Sequence, residues 1–185
     1  MLVEVGGKLS FATEDPWQGA ACLLCAATPS SGARVVGTIP DKTSGELHAR
    51  ARSEIDSGGQ VSASAFATLL AVHATINDKI SFDLKADDLV SLVTPSGVAQ
   101  SSQAVHRDRW FCAELSALVS SSSSGWARLS IDGAIVAEIS GVPTLRQKQA
   151  DGELWAGIEW SSEGSASLAV QIDDLEYSEL PLPCP

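Results

Sequence analysis

The side chains of this 185-residue chain best suited to proton transfer, nucleophilic attack or metal ligation are few. They are three histidines at 48, 73 and 106, one tyrosine, Tyr177, and four cysteines at 22, 25, 112 and 184. A general base must be held by a partner within hydrogen-bond reach, and no histidine here stands in a recognisable spacing with an acid or a nucleophile. Cys22 and Cys25 have the CxxC spacing of a redox dithiol or of half a zinc site. A zinc site needs about four Cys or His ligands, and no second pair with ligand spacing follows. A redox motif needs a βαβ setting that the chain does not show. The pair therefore reads as a local disulfide or as two buried thiols, and catalysis is not expected.

Binding chemistry has better candidates. An exposed aromatic ring stacks on the apolar face of a pyranose while polar neighbours bond its hydroxyls, and Trp126, Trp155 and Trp160 are suited to that task. Trp155 shares a strand face with Glu153, Gly157 and Glu159. The competing reading of each tryptophan is core or sheet filling. His48 falls on the wet face of its strand and reads as a solvated side chain.

The elements that must position these residues are strands. In RWFCAELSALV, Phe111, Ala113, Leu115, Ala117 and Val119 put an apolar group at every second residue, opposite Trp110, Cys112, Glu114 and Ser116. WARLSI and AIVAEIS follow, joined by Asp132-Gly133, which suits the two positive-φ positions of a type I′ hairpin turn. Upstream, Leu47, Ala49, Ala51, Ser53 and Ile55 alternate with Glu46, His48, Arg50, Arg52 and Glu54. A second hairpin joins residues 79–86 to 89–94 around Asp87-Asp88. Residues 2–5 and 8–11 read as an opening hairpin or a bulged edge strand, and 95–102 as a loop. Residues 62–75 fit a helix or a long buried strand, and 143–151 a polar crossing. Residues 154–160 and 167–177 are expected to close the sheet, and the terminal prolines stop further pairing. The fold class expected is all-β, a two-sheet antiparallel sandwich occupying residues 1–185 as one domain.

Composition narrows the partners. The formal net charge of −11, with 23 acidic against 12 basic residues, opposes binding to phosphate backbones and anionic lipid surfaces, so nucleic acid is not an expected partner. No run approaches the roughly 18 apolar residues that span a bilayer, so no membrane insertion is expected. The N-terminus lacks the regions of a secretory signal, so either the protein is intracellular or Met1 follows a removed export signal. The four cysteines allow three pairings if all are oxidised. A bridge from Cys184 to a strand residue such as Cys112 would tie down a tail that otherwise frays.

The order W-x-C-x-E-L in WFCAEL, then I-D-G followed by I-V-A in SIDGAIVA, then the terminal I-D-D-L with a final P-C, resembles bacterial concanavalin A-like lectin/glucanase jelly rolls. The similarity takes in laminin G-like domains and polysaccharide lyase-like surface lipoproteins. It is clearest over residues 109–184, with GELHARARSEI similar to an early strand of the family. The resemblance implies a jelly roll, a bridge between Cys112 and Cys184, an extracellular or cell-surface setting, and a concave face or loop rim that binds glycans in many members. It also implies that Asp173 or Asp174 could serve a structural Ca²⁺, which needs six to eight oxygen ligands. The tripeptide Glu54-Ile-Asp56 resembles the start of the carboxylate motif of retaining glucanases, but Ser57, Gly58 and Gly59 follow where a further acid is needed. The expected function is a non-catalytic carbohydrate-binding or surface-recognition module. The alternative is a structural protein that self-assembles or packs on a surface partner, ahead of a lyase or hydrolase.

Overall fold

The computed structural model describes residues 1–13, 16–17, 21–40, 44–75, 78–144, 152–163 and 165–184. In chain order the strands are β1 (Leu2–Val5), β2 (Lys8–Ala12), β3 (Cys22–Ala27), β4 (Gly32–Ile39), β5 (Gly45–Ile55), β6 (Ala67–Thr75) and β7 (Asp78–Leu84). They continue with β8 (Leu89–Thr94), β9 (Gly97–Ala104), β10 (Phe111–Val119), β11 (Gly125–Ile131), β12 (Ala134–Val142), β13 (Gly152–Ser161) and β14 (Leu168–Ser178). They form two seven-stranded sheets, sheet 1 in the order β1-β4-β13-β6-β7-β8-β9 and sheet 2 in the order β12-β11-β10-β5-β14-β3-β2. Strand pairing is antiparallel throughout both ladders, which makes the all-β sandwich expected from the alternation. No helix among the described residues is long and apolar enough to cross a membrane.

The core lies between the sheets and is filled by the alternate residues that the sequence marks as apolar. Ile80, Phe82, Leu84, Val90 and Leu92 of sheet 1 meet Leu47, Ile55, Leu115 and Leu129 of sheet 2, all of them 0–1 % exposed. Each such large side chain contributes about 1.5–3 kcal/mol on burial. Phe82 and Phe111 touch edge to face across the interior, with centroids 6.3 Å apart. Asp132 and Gly133 take φ of 49° and 79°, as the β11–β12 hairpin requires. Asp87 and Asp88, both at φ 57°, turn β7 into β8.

Several elements differ from the sequence reading. β1 and β2 are not a hairpin: β1 pairs with β4 in sheet 1, and β2 with β3 in sheet 2. The chain crosses between the sheets at Gly6-Gly7, where Gly6 has φ +74° and a Cβ on Gly7 would lie 2.7 Å from two carbonyl oxygens. Residues 67–75 are strand β6, because pairing on both sides outweighs the local helix preference of the alanines. The stretch expected to be a loop after Pro95 is strand β9, a polar edge that burial periodicity does not reveal. β13 and β14 do not close a sheet but lie inside sheets 1 and 2 respectively. Most of the expected crossing at 143–151 lies outside the described residues.

Candidate functional site

Because Ile80, Phe82 and Leu84 point into the core, Lys79, Ser81 and Asp83 on the same strand face outward. Ladder partners lie on one side of a sheet. Ser91 on β8, Asp83 on β7, Thr68 on β6 and Trp160 on β13 are successive partners, and so form one row across the outer face of sheet 1. Thr68 Oγ1 donates to Asp83 Oδ1 at 2.7 Å, and Ser81 Oγ donates to the same oxygen at 3.1 Å. The row is sunken: Thr68 and Ser81 are 0 % exposed and Ser91 1 %, whereas Trp160 is 39 % exposed. Burial pushes the Asp83 carboxyl up, with the Thr68 hydrogen bond and the nearby Lys79 and Lys85 opposing it.

Trp160 reaches this face through a bulge. Simple alternation from the core residues Leu154, Ala156 and Ile158 would send its ring inward. The register against β6 shifts between Ala156 and Trp160, so Glu159 and Trp160 both turn outward. Gly157 at φ +117° permits the distortion, and a Cβ there would fall 2.7 Å from Ala33 O and 2.8 Å from Cys25 Sγ.

A second cluster lies beside the row. Lys79 Nζ donates to both oxygens of Glu159, at 3.0 and 3.1 Å, and His73 Nε2 stands 3.4 Å from Glu159 Oε1. Burial alone would raise the Glu159 carboxyl, but His73 and Lys79 outweigh it and hold the group below the ordinary range. The Trp155 ring is flanked by His73, with centroids 4.0 Å apart, and by the Arg34 guanidinium at 3.8 Å. Its indole Nε1 donates to Glu153 Oε2 at 2.7 Å. Arg34 Nε and Ser91 Oγ are buried without a hydrogen-bond partner among the described residues. An orphaned buried polar atom costs about 1–3 kcal/mol.

Of the three tryptophans singled out from sequence, Trp155 and Trp160 therefore share the outer face of sheet 1. Trp126 is on sheet 2, under the Arg128 guanidinium at 4.5 Å. Alternation along KISFDL would have placed Lys79, Ser81 and Asp83 on one outer face; no sequence signal aligns Ser91 and Arg34 with them.

The outer face of sheet 2 is largely structural. Cys112 and Cys184 form a disulfide that draws the C-terminal tail over β10 and β5, where Arg50 Nη1 donates to Pro183 O at 2.8 Å. His48 points outward but is not solvated: it is 4 % exposed, with Nδ1 3.0 Å from Glu114 Oε1. Cys22 and Cys25 are free buried thiols, since residues three apart on one strand face opposite ways and cannot bridge. Asp173 lies opposite Arg52 and accepts a hydrogen bond from the Asp174 amide at 2.9 Å. The described residues hold no group of three or more His, Cys, Asp or Glu placed for a metal ion.

No family model matches this chain, and no curated protein matches it in sequence. Its architecture is nonetheless shared with solved structures. An endo-β-1,4-glucuronan lyase from the fungus Trichoderma reesei superposes with a TM-score of 0.65 at 11 % identity, covering 93 % of this chain and 87 % of that one. The cellulose induced protein Cip1 gives 0.64 at 13 % identity, over 97 % and 89 %. Alginate lyase Aly36B, solved with an alginate trisaccharide, gives 0.62 at 11 % identity, over 86 % and 82 %. The fold is thus a concanavalin A-like jelly roll of the kind found in polysaccharide lyases, and identities this low establish the fold alone.

Proposed function

We propose that this chain is a non-catalytic carbohydrate-recognition module that takes a glycan across the outer face of sheet 1. The observation that carries the reading is the exposed Trp160 ring at the end of the sunken row Thr68, Asp83 and Ser91. A pyranose has an apolar C–H face and a rim of hydroxyls, and this face offers the Trp160 ring for the first and the partly exposed Lys79 and Glu159 beside it for the second. The structural neighbours, a glucuronan lyase, an alginate lyase and a cellulose induced protein, agree with a saccharide ligand. The disulfide agrees with an extracellular setting.

The test is a glycan array and polysaccharide pull-down on oxidised protein, with Trp160→Ala, Trp155→Ala and Trp126→Ala. Saturable binding that falls about tenfold or more in Trp160→Ala and is unchanged in Trp126→Ala is the expected result. Absence of binding across a broad panel would sink the reading and favour a self-assembling or surface-packing protein.

A second reading, elimination on a uronate, has one observation in its favour: Lys79 and His73 converge on Glu159 beside Arg34. In such a reaction a base removes the C5 proton, the C–H electron pair becomes the C4=C5 double bond, and the C4–O bond breaks to a protonated leaving oxygen. Arg34 would neutralise the carboxylate, neutral His73 would take the C5 proton, and the Lys79 ammonium would give a proton to the leaving oxygen. Polyuronates incubated with the protein would then gain the ultraviolet absorbance of an unsaturated product, and this gain would disappear in His73→Ala.

A further inference from the structure

A cavity of about 520 Å³ opens on the opposite side of the molecule, on the outer face of sheet 2. Two of its walls are Trp17, from the segment between β2 and β3, and Trp110, just before β10. Their ring centroids are 6.5 Å apart and their planes 55° apart. Arg52 of β5 is 4 % exposed, and its guanidinium lies 4.1 Å from the centre of the Trp17 ring, so one wall is braced by a buried charged side chain. The floor and rim carry Glu54, Asp108 and Asp132. Asp108 Oδ1 accepts from the Ser57 amide and Asp132 Oδ1 from the Cys112 amide, both at 2.8 Å. Backbone bonds thus fix both carboxylates, while their second oxygens take no hydrogen bond among the described residues.

We infer that this cleft is a separate saccharide site, selective for an uncharged sugar unit. The outer rim of the indole pair offers an apolar surface to the C–H face of one ring, and the fixed carboxylate oxygens accept from adjacent hydroxyls. Its volume falls within the range of small-ligand pockets. Carboxylates outnumber the guanidiniums of Arg52 and Arg109 here, so a uronate would be repelled. The inference stands on this cavity alone and does not depend on the sheet 1 face.

Titration of the oxidised full chain with cellohexaose, xylohexaose, mannohexaose and maltohexaose, followed by calorimetry and tryptophan fluorescence, tests it. At least one of these neutral probes is expected to bind saturably, with affinity down about tenfold or more in Trp17→Ala and in Asp108→Asn and unchanged in Trp126→Ala. Trp17 is partly exposed on its segment, so its replacement leaves the core intact, as circular dichroism would verify. A hexamer of galacturonic acid is expected not to compete. No binding by any neutral probe would overturn the inference. Binding that survives Trp17→Ala but is lost in Trp160→Ala would overturn it too and return the activity to sheet 1, whereas the reverse pattern would support the cleft.

Discussion

His73 Nε2 stands 3.4 Å from Glu159 Oε1 across β6 and β13, and Lys79 Nζ closes on the same carboxylate from β7. Three strands of sheet 1 are therefore pinned at one acid. Glu159 has a depressed folded pKa, so the stability it lends is present above the ordinary glutamate range of about 4.3 and is lost as pH falls through the folded value. Glu159→Gln is expected to cost about 1–3 kcal/mol at neutral pH, because charge-assisted hydrogen bonds are lost. Urea denaturation of both proteins should show that difference shrinking to nothing in strong acid.

Asp83, on the same face, should behave in the opposite sense. Burial raises its folded pKa above the unfolded value of about 3.9, so the charged carboxylate weakens the fold as pH rises through that window. Asp83→Asn is expected to be more stable than the parent at neutral pH by about 1 kcal/mol, with the gain absent below about pH 3.9. The same urea series measures it. If Asp83 also receives a sugar hydroxyl, the stabler variant will bind glycan less well.

Gly157 allows neither a side chain nor an ordinary backbone. Gly157→Ala would bring a methyl group against Ala33 O, Cys25 Sγ and Arg34 Cα, at a φ that alanine rarely adopts. Strain and overpacking together are expected to cost about 2–4 kcal/mol. Glycan binding by the folded fraction should fall with it, since the bulge that turns Trp160 outward starts here. Thermal melting and a pull-down on the same sample would read both effects.

The Cys112–Cys184 bridge spans 72 residues of sequence. Reduction, or Cys184→Ser, is expected to lower stability by about 2–4 kcal/mol and to free the tail from Arg50, exposing it to carboxypeptidase. Reductant should have no further effect on the variant. Burial pushes the Cys25 thiol up to about 12, so it should stay unreactive toward Ellman's reagent until the protein unfolds.

Local patterns made part of this legible from the chain alone. The period-two runs around Phe111 and Leu47 named strands and inward faces, and Asp132-Gly133 named a turn, because such information sits within a few residues. Partner choice does not. Nothing local separates β1 from β2 into different sheets, or inserts β13 between β4 and β6. The polar β9 looks like a loop until its partner β8 is known. For the site, Trp155 was found on its outward face by alternation. Alternation would have sent Trp160 into the core, and only the bulge past Gly157 brings it out. His48 was placed on the correct side of β5, but its burial beneath neighbouring elements could not be read from that strand.

The interior placement of the last two strands has a consequence for synthesis. β4 and β6 stay apart until β13 separates and joins them, and β5 lacks one of its neighbours until β14 arrives. A ribosome-bound chain that has emerged only as far as β12 would hold open strand borders in the middle of both halves, the kind of surface that recruits other chains. Completion is thus deferred until β13 and β14 have both emerged, and a chain stopped before β13 should precipitate rather than form a smaller soluble version of the protein.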